Sequence, residues 1–297
     1  MSKNIITPED DLAWASDVLN GLVTTLGEMP AWHGAGSALH GLLAPVALRA
    51  ARLLFGDPEG PPRAFPPFGT VRMPYVQMGA VDSVDILNLD EMLLFAFYWR
   101  NRHLYRRVAD LGANIGWHSL LLSRCGYQVR AWEPDPETYQ VLERTLRDNG
   151  CTEAEPIRRA VSHHAGTARF VRVLGNRTSS HIEGAKAAPY GELERFEVEL
   201  DAYAPIAAWA DLIKMDIEGH EADLLCATDA EAWAATDVLA EIGTPENAQK
   251  IWGHLTGLGV SIFSQKLGWR RAESVEDVPT HYSQGSVFLS RREQMPW

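Results

Sequence analysis

Apolar side chains recur at helical spacing at Leu12, Ala15, Val18, Leu19, Leu22, Val23 and Leu26, which predicts an N-terminal helix with one buried face. Thr7-Pro8-Glu9-Asp10 supplies its start: a threonine cap, proline at the first helical position and acids in the first turn. A second apolar helix is expected from about residue 37 to 55, with Pro45 breaking or kinking it. Pro58, Pro61, Pro62, Pro66 and Pro67 then punctuate a connector. This divides the chain into an N-terminal helical extension with a Pro-rich connector, residues 1–67, and a larger domain, residues 68–297.

In the larger domain the apolar period switches between two and three to four residues. Two short strands between residues 71 and 87 and an aromatic-rich helix over 90–100 lead to a strand ending at Asp110. Helices over 115–124 and 136–149 follow, separated by a strand ending at Glu133. A third strand is predicted near 156–161, with antiparallel-looking segments near 168–173 and 195–200. The alternation resumes with a strand over 211–215, a helix over 220–226, a strand over 238–242 and a helix over 245–258. Strands near 260–263 and 286–289 close the pattern. Strands alternating with helices predict an α/β fold, a mostly parallel sheet covered by helices on both faces.

The run Val108-Ala109-Asp110-Leu111-Gly112-Ala113-Asn114-Ile115-Gly116 carries the most chemistry. An apolar strand ends in an acid, a Gly-containing turn follows, a helix opens, and the next strand ends in Glu133. That is the layout of a nucleoside-cofactor site at the carboxyl edge of a parallel sheet. Gly112 and Gly116 let backbone approach a ligand, and Glu133 is placed to accept the ribose hydroxyls. A dinucleotide fingerprint would carry a middle glycine where Asn114 stands, and Asp110 before the turn would repel a pyrophosphate. A carboxylate there suits the ammonium and sulfonium of S-adenosylmethionine instead.

Three blocks resemble the FkbM family of S-adenosylmethionine-dependent methyltransferases: D-L-G-A-N-I-G at residues 110–116, W-E-P-D-P-E-T-Y from Trp132 to Tyr139, and L-I-K-M-D-I-E-G-H-E from Leu212 to Glu221. E-L-D, from Glu199 to Asp201, precedes the third block as the family pattern has it, and the match runs over about residues 105–245. The resemblance implies a Rossmann-like class I methyltransferase fold, a seven-stranded sheet whose last strands return as a hairpin. It also implies S-adenosyl-L-methionine as methyl donor, with Gly112, Asn114 and Gly116 along its methionine half, Glu133 on its ribose, and Val161 and Ser162 near its adenine.

A hydroxyl acceptor needs a base at such a site. Asp216 and Glu241, held at strand ends, are the first candidates, with His118 beside them; Glu218, His220 and His181 are further possibilities. The expected reaction is methylation of a small molecule, first of all O-methylation of a sugar or secondary-metabolite hydroxyl. N-methylation of an amine and a non-catalytic cofactor-binding scaffold stay open as alternatives. No metal is called for.

The formal net charge of −12 disfavours nucleic acid, because phosphate binding needs clustered cations and the basic pairs here are isolated. Cys125, Cys151 and Cys226 have neither metal spacing nor an even count for a disulfide framework. Met1-Ser2-Lys3-Asn4 leads into no apolar segment, and no stretch approaches ~18 consecutive apolar residues. A cytoplasmic protein without a membrane partner is the expectation, with a small-molecule acceptor and a homodimer through the N-terminal helices as its partners.

Overall fold

In the computed structural model, residues 7–186 and 191–297 are described; the Met1–Asn4 segment and residues 187–190 of the loop after His181 lie outside them. Alternate residues of the central strands enter two different apolar layers. In β1 (Arg107–Leu111), Val108 joins a cluster containing Leu93, Leu120 and Leu142, whereas Ala109 and Leu111 join one containing Ile206, Leu224 and Ile251. A period of two in a strand buried on both faces produces this split.

The other strands of the main sheet are β2 (Gln128–Trp132), β3 (Ala154–Ile157), β8 (Leu212–Met215), β9 (Asp237–Glu241), β10 (Ser261–Ser264), β11 (Arg270–Arg271) and β12 (Ser286–Ser290). Their order is β11-β10-β12-β9-β8-β1-β2-β3. The strands from β3 across to β9 are parallel, and β12 runs antiparallel between β9 and β10. The order reverses at β1 and β8, so their carboxyl ends open a crevice. This is the class I methyltransferase arrangement of seven strands with a returning hairpin, plus the two-residue edge strand β11.

Between β3 and β8 the chain inserts a second sheet in the order β6-β5-β7-β4, made of β4 (Ala160–Ser162), β5 (Gly166–Val173), β6 (His181–Ile182) and β7 (Leu193–Ala202). The strand expected near 156–161 is thus two strands in two sheets. Pro156 still pairs with Ala131 in the main sheet, while Val161 pairs parallel with Asp201 in the insertion.

Four of the helices that share the apolar cluster joined by Val108 come before or directly after β1. They are α1 (Pro8–Thr25), α2 (Ala38–Phe55), α3 (Leu89–Arg100) and α4 (Trp117–Arg124). Thr7 and Asp10 form the capping box of α1. Pro45 does not break α2, which runs continuously through it. Pro45 is exposed, so the carbonyl left without its helical partner faces water. Leu19, Ala50, Leu93 and Leu120 belong to one apolar cluster, so the core is continuous across residue 67. By length and composition alone α2 could cross a membrane (mean hydropathy 1.4), although 28% of that window is buried in the fold. A search for unbroken apolar runs misses it because Arg49 and Arg52 interrupt the sequence.

Candidate active site

The carboxyl ends of β1, β2, β8 and β9 open into a cleft of about 590 Å³. Its floor is the turn after β1. Gly112 has φ +75°, and a Cβ there would sit 1.8 Å from the Asp216 carbonyl oxygen. Glycine is required at that position because the β1 turn and the segment after β8 are in direct backbone contact. Asn114 is left-handed too, with φ +50°, and its backbone N–H donates to Glu133 Oε2 at 3.0 Å. The other carboxylate oxygen accepts from Asp135 N–H at 2.8 Å. Glu133 therefore ties the glycine turn to the start of α5 (Pro136–Asp148), where Asp135 is the cap. Burial pushes the Glu133 carboxyl up to about 8, against the opposing pull of those two amides.

Gly112, Asn114, Glu133 and Val161 line the cleft, as do Asp216, Glu241 and His118 from the group considered for deprotonation. Asp110, Gly116 and Ser162 are not among the residues that line it. Asp110 is fully buried beneath the floor, where Ser119 Oγ donates to its Oδ2 at 2.5 Å. It pairs in register with Lys214 of β8, and the ammonium stands 3.7 Å from its Oδ1. Gly116 serves packing, since a Cβ there would lie 2.8 Å from Leu142 of α5. Ser162 is buried with Oγ 3.3 Å from His220 Nε2, and His220 Nδ1 is 3.1 Å from Asp223. His181 is buried as well, its Nδ1 at 2.8 Å from the Ser179 carbonyl.

Lys214 was overlooked as a functional residue, although it stands inside the I-K-M-D-I-E-G block. Its Nζ lies 3.6 Å from Asp216 Oδ2 and donates to the Gly112 carbonyl at 3.2 Å. Burial pulls the ammonium down, but Asp216 and Asp110 outweigh it, and the net shift is upward. A permanently charged lysine thus sits under the floor with a carboxylate on either side. Glu91 on α3 and the segment 176–180 with Ile182 and Lys186 are further lining residues that the motifs did not indicate.

The lining beside the segment after β8 is acidic. Glu218 pairs with Lys186, and Glu241 stands near Asp216, Glu218 and Glu91. Burial and then these neighbours push the Glu241 carboxyl well above the ordinary carboxylate range, toward its neutral form. Glu221 is structural, its carboxylate accepting from Ile217 and Gly219 N–H at 2.8 and 2.9 Å.

The methyltransferase FkbM domain model matches residues 110–259, half of the chain, from the acid before the glycine turn to just past the helix Pro245–Gly257 that follows β9. The chain belongs to the FkbM methyltransferase family. An FkbM methyltransferase uses S-adenosylmethionine as its methyl donor, and this chain is such an enzyme. The Gly112 turn, the buried Glu133 and the acidic wall fit that group's uncharged ribose and cationic methionine half. Methyltransferase sdnD of Sordaria araneosa is 27% identical over 197 residues, covering 54% of this chain and 76% of that protein. Among solved structures, WbdD aligns at 12% identity and a TM-score of 0.39, covering 70% of this chain and 41% of that one. The O-methyltransferase from Bacillus cereus aligns at 7% and 0.37, covering 66% and 78%. This FkbM chain therefore spans about two fifths of WbdD.

Proposed function

We propose that the FkbM methyltransferase described above transfers methyl to a hydroxyl of a small molecule, a sugar or a secondary metabolite. The observation that carries this reading is the set of polar groups that line the cleft. Asp216, Glu241, His118, Asn88, Thr178 and Ser179 together offer hydrogen-bond acceptors and donors suited to a polyhydroxylated ligand. Glu133 holds the ribose, Gly112 and Asn114 line the methionine half, and Val161 flanks the adenine. When bound, S-adenosylmethionine supplies an electrophilic methyl on a sulfonium. The protein's own work is alignment, potentially worth up to ~7–11 kcal/mol, and removal of the acceptor's proton, worth about 10²–10⁴-fold. Asp216, Glu241 and His118 are the groups of the cleft that hold the acceptor beside the methyl donor.

The test begins with calorimetric titration of S-adenosylhomocysteine, with NADH as control. Binding of the first alone, followed by S-adenosylhomocysteine release with methyl hexopyranosides or hydroxylated aromatics, is the expected result. Asp216→Asn then lowers turnover far more than cofactor affinity. Transfer to amines alone would replace the hydroxyl reading with N-methylation. Binding with no transfer to any acceptor would favour a scaffold.

A further inference from the structure

His118 has no nitrogen free to deprotonate an acceptor. Its Nδ1 lies 3.0 Å from the Tyr98 hydroxyl, and its Nε2 lies 2.7 Å from Glu91 Oε2 in a close, bent contact. Tyr98 has no exposed surface, and burial pushes its phenol well above the ordinary range, so the hydroxyl keeps its proton. A hydroxyl that donates makes Nδ1 an acceptor, and the imidazole proton then sits on Nε2, facing Glu91. The row Tyr98–His118–Glu91 runs from the core to the cleft and ends in a carboxylate. Glu91 lines the cleft with a side chain 28% exposed, although its Oε2 is buried against the ring.

The other acids of the wall are engaged. Asp216 lies beside Lys214, Glu218 is paired with Lys186, Asp85 with Arg52, and Glu133 accepts two turn amides. Glu241 is pushed up by burial and by its acidic neighbours. Among the described residues, no lysine or arginine forms an ion pair with Glu91; its partner is the imidazole. Asn88 caps α3 and accepts from the Glu91 N–H at 3.3 Å, fixing the backbone from which the carboxylate projects. Phe95 packs on the His118 ring at a centroid distance of 5.2 Å, which fixes the other end.

We propose that Glu91 is the general base of methyl transfer and that His118 and Tyr98 are positioning residues that aim it. The inference rests on hydroxyl methylation as read above. In the step, the acceptor oxygen bonds to the methyl carbon as the carbon–sulfur bond breaks and sulfur takes its electron pair. The hydroxyl proton passes to the Glu91 carboxylate, whose growing neutrality the Nε2–H no longer stabilises, so the proton leaves readily to solvent. The base therefore comes from α3, upstream of the 110–259 family match.

Two measurements on the full chain decide it. In ¹⁵N-imidazole spectra, with and without S-adenosylhomocysteine, His118 shows the Nε2–H tautomer; an Nδ1–H tautomer overturns the proposal. In methyl transfer to the hexopyranoside or aromatic probe that the wild type accepts, Glu91→Gln lowers kcat by about 10²–10⁴-fold. Its KM and its affinity for S-adenosylhomocysteine stay within about threefold, and Glu91→Asp recovers part of kcat. His118→Asn, which keeps the carboxylate but loses its aim, costs less than Glu91→Gln. Retention of kcat in Glu91→Gln, or a larger loss in His118→Asn than in Glu91→Gln, overturns the assignment. If the wild type transfers methyl to none of these hydroxyl probes, the hydroxyl reading itself fails. An Nε2–H tautomer in that protein would still support the aimed carboxylate.

Discussion

At the residue scale, two positions separate what the turn after β1 needs from what the cofactor needs. Gly112→Ala places a methyl within 1.8 Å of the Asp216 carbonyl, so β1 and β8 must part and the floor is lost. We expect soluble Gly112→Ala protein to lose S-adenosylhomocysteine binding in calorimetry and to melt at a lower temperature. Glu133 is different, because its two oxygens already hold Asn114 and Asp135 N–H in the free protein. Glu133→Gln keeps one acceptor oxygen but turns the other into a donor that confronts an N–H. Losing a hydrogen bond to a charged group costs on the order of 1.5–3 kcal/mol, or roughly ten- to a hundredfold in affinity. A Glu133→Gln protein whose affinity is unchanged would place the ribose elsewhere. Glu133 and Gly112 were legible because each sits where a strand ends, and strand ends are written locally. Asp110 was legible as an acid but not in its orientation. Its neighbour Lys214 lies 104 positions along the chain, and only the β1–β8 register brings the two side by side.

At the element scale, the insertion after β3 supplies the wall that the motifs did not indicate. Its strands β5 and β7 were visible as alternating segments, but β4 was absorbed into the preceding strand. Arg172 explains why the insertion matters to the nucleoside side. It is buried, and its guanidinium donates to both Asp135 oxygens, at 2.6 and 2.7 Å. Such bidentate pairs are geometrically specific, so β5 clamps the cap that in turn holds Glu133. The segment from Gly175 to Lys186 then crosses the cleft as a strap tied at both ends. At one end Ala80 N–H donates to the Gly175 carbonyl at 2.8 Å, and a Cβ on Gly79 would lie 2.3 Å from that oxygen. At the other, Lys186 pairs with Glu218, and a Cβ on Gly219 would lie 2.9 Å from the Ala185 carbonyl. Gly79→Val displaces the first anchor and has to adopt φ +87°. We expect it to raise the acceptor KM by about tenfold, since uniform binding is what the strap provides. Cofactor affinity should change much less, because the floor and Glu133 are untouched. Equal loss in both would mean that the strap holds the cofactor.

At the scale of the whole molecule, the site is a store of carboxyl groups that folding keeps from ionising. Burial raises Glu133 to about 8 and Glu221 to about 7, each from an ordinary value of 4.5. An acid with a raised folded pKa stabilises the fold fully below its unfolded value. That stability is lost as pH rises through 4.5 toward 8 for Glu133 and toward 7 for Glu221. Asp82, despite burial, is held low by Arg52, and Asp211 by Arg107, so their contributions weaken only as the solution becomes acidic. The free protein should therefore melt highest at mildly acidic pH and lose stability as pH rises from about 4.5 until Glu221 has ionised at about 7 and Glu133 at about 8. Glu241→Gln should flatten that fall, because it removes the most strongly raised carboxyl of the wall; a slope unchanged from wild type would show that Glu241 ionises freely. The same store predicts how the methyl donor binds. A sulfonium and an ammonium entering beside Glu218 and Glu241 favour the ionised form of these raised acids, so binding is expected to release protons near neutrality. Calorimetry in buffers of different ionisation enthalpy reads that release directly. S-adenosylhomocysteine lacks the sulfonium charge and should release fewer protons than S-adenosylmethionine. Equal release for the two would mean that the acidic wall answers to the ammonium alone, and that the sulfonium lies away from it.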